Sequence, residues 1–199
     1  MLLLVPALIA GILAVSRGGS LRNLAELPLR SSGLILASLA IQVLVYFPAL
    51  RHSSLVLNHA GAIYVGALCL AMVGMLRNRH LGPTLQLATL GLLFNATVIA
   101  ANGGHMPVNA DALRATQGNG AVIAAQDPHT YGNTRLAKGS DHLLFLSDVI
   151  PVRLGDAGNV YSIGDTLISS GVALLVYGAV RRRPAASRRA ALPEQATAA

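Results

Sequence analysis

Asp148 and Asp165 are the residues of this chain best suited to chemistry. Asp148 lies in a short apolar run, FLSDVIPV, and Asp165 near the start of a membrane-length run that continues TLISSGVALLVYGAV. Ionisable groups in or against a bilayer are costly and often functional. Two carboxylates held close together split their pKa values, because like charges at short range oppose each other's ionisation. One then activates a water as base while its protonated partner polarises a carbonyl, which is the chemistry of an aspartyl hydrolase. A plainer reading uses the same residues. Ser162-Ile163-Gly164-Asp165 fits a capping box, with Ser162 at the N-cap and Asp165 near the third helical position, where an acid complements the helix dipole. Asp148 would then sit on the wet side of an interfacial helix.

Other residues could line such a site. Asn95 lies mid-span among Gln86, Thr89 and Thr97. These side chains either bond across helices or line a polar cavity. Asn102-Gly103-Gly104-His105-Met106-Pro107 reads as a tight exit turn, or as a backbone nest facing the site. Ser162 and Ser169, the latter one turn beyond Asp165, complete the site-lining set with Asn95, Asn102, Gly103, Gly104 and His105. His105, His129, His142 and Asp141 are credible metal-ligand types. None of the histidines has the H-x-x-x-H spacing of a helical site, so they read as solvated loop residues, and no metal or cofactor is expected. Cys69 is the single cysteine, which leaves no intramolecular disulfide. It reads as a small buried hydrophobe.

Elements that could position these residues follow from composition. The chain of 199 residues is 53% hydrophobic and 12% charged, where a soluble domain averages about 25% charged. Apolar runs predict five membrane spans, at about 1–16, 31–50, 55–76, 83–101 and 160–180. The first is short and carries Pro6. Pro48 lies near the outer end of the second, and Arg51 and His52 form the turn after it. In the third, Ala62/Gly66 and Ala67/Ala71 are small pairs at close-packing spacing. In the last, Gly164, Gly171 and Gly178 repeat every seven residues and predict a packing seam. The connection 102–159 is too long for a plain loop. Its run 141–150 predicts a short interfacial or re-entrant helix, N-capped by Ser140 and ended by Pro151. The expected fold class is therefore an all-α membrane protein: a five-helix bundle in one integral membrane domain, 1–180, with a long extracytoplasmic loop. A disordered basic cytoplasmic tail, 181–199, follows.

The net charge of +7 is concentrated in Arg181, Arg182, Arg183, Arg188 and Arg189. Such a cluster after a span is a topology signal, with anionic lipid head groups as a further partner, and nucleic acid is not expected. The loops after spans one and three are also basic. The positive-inside rule then places the N-terminus outside and the C-terminus in the cytoplasm. The first segment lacks the leading positive charge of a signal peptide and is expected to be retained.

At NGGHMPVN, FLSDVIPV and NVYSIGDTLISSG the chain resembles a family of bacterial integral membrane proteins known as domain of unknown function 5317. That resemblance implies a small multi-pass protein of the inner membrane with no established activity. A second resemblance is confined to the C-terminal third. Tyr161-Ser162-Ile163-Gly164-Asp165-Thr166-Leu167-Ile168 is similar to the F-N-V-A-D-x-x-I pattern of signal peptidase II, the lipoprotein signal peptidase. Asp148 falls where that family has its first aspartate. The family's Asn-x-Gly-Ala-Ala-Phe motif is absent here, and five spans stand against its four. This resemblance implies catalysis by Asp148 and Asp165 on a membrane-embedded peptide or lipid-linked substrate. The competing expectation is a non-catalytic membrane subunit, or a small-molecule or ion binder, with structural aspartates. No oligomeric state follows from the pattern.

Overall fold

The computed structural model describes residues 2–45, 47, 53–126 and 133–182. Pro48, the turn at Arg51 and His52, His129 and the tail beyond Arg182 lie outside the described residues. Five apolar helices are present: α1 (Val5–Ser16), α3 (Ser32–Val45), α4 (Ser54–Arg77), α5 (Pro83–Ala101) and α8 (Ile163–Val180). A single turn, α2 (Arg22–Ala25), follows α1. Three of the helices are long and apolar enough to cross a membrane, over Asn58–Arg77, Pro83–Ala101 and Ile163–Val180. At 1.5 Å per residue, the 12 residues of α1 and the 14 described residues of α3 fall short of a hydrocarbon core of about 30 Å.

Local chemistry explains the helix ends. Ser53 caps α4 by accepting the Val56 N–H at 3.3 Å. Pro83 opens α5 after Gly82, whose φ of 109° no other residue type adopts easily. In space the helices run α3, α4, α5, α8, α1. The α5–α8 contact is the closest. A Cβ on Gly91 would strike Ile168 N at 2.8 Å, and one on Gly171 would strike Thr84 O at 2.6 Å. Across α4 and α5, Leu68, Ala71, Leu92, Ala96 and Ile99 form one core cluster. At the other end of α4, buried Asn78 locks the α2–α3 linker. It accepts from Arg30 N at 2.6 Å and donates to Arg30 O at 2.6 Å.

Several packing expectations need correction. The glycine seam holds at Gly164 and Gly171 but not at Gly178, which has nothing within 4 Å. Thr84, at the start of α5, already faces Gly171, so no α5 remains to meet the next repeat. In α4 the pair Ala67/Ala71 is buried, whereas Ala62 and Gly66 are exposed. Gly61 makes the close approach instead, against Gly104. Cys69 is exposed rather than buried, because it points away from the face carrying Leu68 and Ala71.

The connection between α5 and α8 is a folded cap rather than a loop with one helix. It contains β1 (Met106–Val108), α6 (Ala110–Gln117), α7 (Asn119–Ala124), β2 (Thr134–Leu136), β3 (Ile150–Leu154) and β4 (Ala157–Tyr161). Strands β1 and β2 pair in parallel, while β3 and β4 form an antiparallel hairpin with Ile150 opposite Tyr161. Val108, Ala112, Leu113, Val122, Ala125 and Val160 make the cap's own core. The expected helix over 141–150 is absent, and Ser140 caps nothing. Asp141 instead closes a turn, accepting Lys138 N at 2.7 Å, and Leu143 is left-handed at φ 57°. A single 3-10 turn, Leu144–Leu146, follows before the chain becomes extended. The last helix accordingly begins at Ile163 rather than 160, since Val160 and Tyr161 belong to β4.

Candidate functional site

Asp148 is placed by its main chain. Its N–H donates to Pro107 O at 3.0 Å, and its carbonyl accepts from Asn109 N at 2.9 Å, in a bridge to β1. The next residue, Val149, donates to Tyr161 O at 3.2 Å. Asp148 is thus wedged between β1 and the end of β4, immediately before the start of α8. Its Oδ1 is buried with no hydrogen-bond partner. Burial first, and then the Asp165 charge, push the Asp148 carboxyl well above the usual carboxylate range.

Asp165 is placed by side chains. Ser162, fully buried, caps α8 by accepting Asp165 N at 2.9 Å, and Asp165 Oδ2 accepts Ser162 N at 3.2 Å. This is the complete capping box that the spacing predicts. Asn95, from the middle of α5, closes the network. Its Nδ2 donates to Asp165 Oδ1 at 2.7 Å, and its Oδ1 accepts from Ser162 Oγ at 2.8 Å. Gly164 makes this reach possible, because a Cβ there would overlap the Asn95 side chain. Both Asp165 oxygens therefore accept N–H donors. A proton on Asp165 would displace one of those donors, whereas a proton on Asp148 Oδ1 displaces none.

Asp165 faces a cavity of about 220 Å³. Leu3, Val5 and Pro6 wall it on one side, Val152 and Leu154 of the hairpin on another, and Tyr161, Asp165 and Ser169 on the third. The walls are mostly apolar, and the carboxylate is the one ionisable carboxyl among the described lining residues. Ser169 lines this cavity and donates to Leu3 O at 2.8 Å. Two tyrosines, which the sequence reading gave no role, lie within electrostatic reach of both aspartates. These are Tyr64 of α4 and Tyr161. Tyr161 OH is buried without a well-formed hydrogen bond, although Asn159 lies near enough to favour its charged form. Burial outweighs Asn159 and raises the phenol pKa, so Tyr161 stands as a neutral phenol in the cavity wall.

The other candidates are drawn elsewhere. Asn102 donates to Val98 O at 2.8 Å and to His142 O at 3.0 Å, and accepts His142 N at 2.9 Å. Its amide ties the cap to the end of α5. Gly103 and Gly104, at φ 68° and 90°, form the exit turn after α5, and His105 follows with its N–H on Asn102 O at 3.4 Å. Asp141 is held by Arg135 at 2.7 and 2.8 Å rather than by a histidine. Among the described residues no three His, Cys, Asp or Glu side chains are grouped to hold one ion.

A family model described as "Family of unknown function (DUF5317)" matches residues 26–177. The chain belongs to that family. Neither the curated proteins nor the solved structures contain a match. The matched stretch includes Asn95, Asp148, Ser162 and Asp165, and leaves out α1, which supplies one wall of the cavity.

Proposed function

We propose that Asp148 and Asp165 form an aspartyl hydrolase-like site at the extracytoplasmic surface of the bacterial inner membrane. The bundle crosses five times, α1 and α3 where the bilayer thins locally, with the N-terminus outside and the C-terminus in the cytoplasm. The observation that carries the reading is Asp148 Oδ1, a sealed and unpartnered carboxyl oxygen within the electrostatic field of Asp165. Asp165 in turn opens onto an apolar cavity. Buried carboxyls without partners are destabilising and cluster at sites of chemistry. In this arrangement Asp148, which does not itself line the cavity, carries the shared proton and polarises the scissile carbonyl of a substrate that reaches past Asp165 to its Oδ1. Asp165, held by Asn95 and Ser162, takes the proton of the attacking water and returns it to the leaving group as the tetrahedral intermediate collapses. The apolar walls suit a membrane-embedded peptide or a lipid-linked substrate. The likeness of the stretch 161–168 to the last-span pattern of signal peptidase II supports the same chemistry.

The second reading is a non-catalytic membrane subunit or small-molecule binder. The complete capping box favours it, because that box gives Asp165 a structural task.

Comparison of membranes from cells making the wild type or Asp148→Asn tests the proposal. New peptide N-termini and lipid-linked products are read by mass spectrometry. Products present with the wild type and missing with the variant, at equal protein levels, are expected. Identical product sets would refute it.

A further inference from the structure

The end of α8 remote from Asp165 carries a second cavity, of about 540 Å³. Arg17, Arg22, Arg181 and Arg182 line it together with Asn23 and Glu26. Glu26 is the one acid in this set, and it pairs with Arg22 Nε at 2.9 Å. Arg17 donates to Tyr177 OH at 3.0 Å and Arg181 to Arg17 O. Arg17, Arg181 and Arg182 have no carboxylate partner among the described residues. Nor are they needed at the carbonyls that end α8. Val180 O accepts from Ser20 N at 3.0 Å and Asn23 Nδ2 at 3.1 Å, and Arg182 O accepts from Asn23 Nδ2 at 2.6 Å. Basic residues serving topology alone need not converge. Here they come from opposite ends of the chain onto one cavity.

An apolar groove of about 660 Å³ adjoins it, between α1 and Val176. Leu8, Ile12, Val15, Leu21 and Leu24 flank this groove. The two spaces are continuous along the chain, since Val15 and Ser16 lead into Arg17, and Leu21 into Arg22. Along α8, Ile163–Val180, the rise from Asp165 to Arg181 is about 24 Å, a little under one hydrocarbon thickness. The arginines therefore sit at head-group depth when Asp165 sits at the opposite surface.

We propose that this end of the protein binds an anionic phospholipid. Its phosphodiester lies among the four arginines and one acyl chain in the groove along α1. Guanidinium groups match phosphate oxygens in geometry as well as charge. The groove commits the site to a lipid, because a free phosphate would use only the basic cavity.

The test uses the full chain purified in detergent. Retained lipid is read by native mass spectrometry and affinity by thermal shift, with phosphatidylglycerol, phosphatidylcholine and glycerol phosphate as probes. Phosphatidylglycerol should be retained and phosphatidylcholine not. Arg22→Gln with Arg182→Gln should weaken phosphatidylglycerol by about fivefold per arginine removed, and the corresponding Lys pair should recover most of it. Ala7→Phe, which fills the groove, should weaken the lipid and leave glycerol phosphate unchanged. Arg77→Gln, whose guanidinium bonds Ser31 at 3.2 Å, is the control and should bind like the wild type. The unfolding midpoint without lipid reports whether each variant is folded, and the wild-type lipid preference stands independently of all of them. Equal retention of the two lipids, or unchanged affinity in the Gln pair, would overturn the site. Glycerol phosphate binding as tightly as phosphatidylglycerol, with Ala7→Phe silent, would overturn the lipid in favour of a free anion.

Discussion

Asp148→Asn removes a buried carboxyl whose ionisation the fold opposes. Asp148 Oδ1 is sealed from water without a partner, and burial, followed by the Asp165 charge, raises the pKa above the ordinary 3.8. In the unfolded chain the carboxyl ionises near 3.8. Between that pH and the raised folded value, the folded state binds more protons than the unfolded state. The contribution to stability is therefore fully present below about pH 3.8. It falls as pH rises through the folded pKa and then levels off. Inside that window the slope is about 1.4 kcal/mol per pH unit. In a chain of this size each kcal/mol moves the unfolding midpoint by roughly 2–4 °C, so the wild type should lose about 3–6 °C per pH unit. Asn has the same shape and no charge. The variant should lack this slope and overtake the wild type as the pH rises. Thermal unfolding of both proteins in the same detergent, from pH 4 to 9, measures the difference. Asp165 is present in both, so the difference reports the pair rather than Asp165 alone. Parallel curves across the whole range would show that Asp148 ionises freely, and would refute the buried acid.

Three further outcomes follow from the packing. Gly164→Ala places a Cβ against Gly91 O at 2.6 Å and into Asn95; the unfolding midpoint should report a loss of about 3 kcal/mol. Gly178→Ala, with nothing within 4 Å, should be neutral or stabilising by up to about 1 kcal/mol. Arg135→Gln should cost about 3 kcal/mol, because Asp141 loses both bonds of a pair whose side chains are only 15% and 5% exposed. Arg135 holds the Asp141 pKa below 3.8, so this contribution is present above that pH. The gap between variant and wild type should close as pH falls through the folded value. A reporter fused at the C-terminus should be cytoplasmic and one placed near Gly120 exported, given the distribution of Lys and Arg. Both on one side would reject an odd number of crossings between them.

Residues that punctuate the chain made part of the fold legible. α5 runs over the expected 83–101 because Gly82-Pro83 starts it and Asn102-Gly103-Gly104 stops it. The hairpin is legible too, although its residues are left above to the loop and to the start of the last span. Gly155-Asp156 separates IPVRL from AGNVY, and a two-residue Gly-Asp step between strand-like runs is a hairpin signal. Gly155 does take a positive φ, 58°. The placement of Asp148 against β1 had no such marker. It depends on Asp148 bonding to Pro107 and Asn109, some forty residues earlier, and a parallel bridge of that separation leaves no local pattern. Glycine periodicity showed which face of α8 packs, but not where α5 begins, which is what ends the seam.

The structure also decides which aspartate separates catalysis from architecture. A capping residue alone is worth about 1 kcal/mol. Asp165 is more than that, because it also accepts from Asn95 at 2.7 Å. Asp165→Asn turns one acceptor into an N–H₂ facing an existing donor, either Asn95 Nδ2 or Ser162 N. A buried mismatch of this kind adds about 1–3 kcal/mol. Loss of function in that variant is therefore expected under both readings and distinguishes neither. Asp148 is different. Its Oδ1 makes no hydrogen bond, and its position is held by main-chain bonds that Asn retains. If the aspartates are structural, Asp148→Asn should be silent or stabilising. If they form a dyad, the same variant should be inactive, folded and at least as stable as the wild type near neutral pH. An active Asp148→Asn protein would end the hydrolase reading whatever Asp165→Asn does.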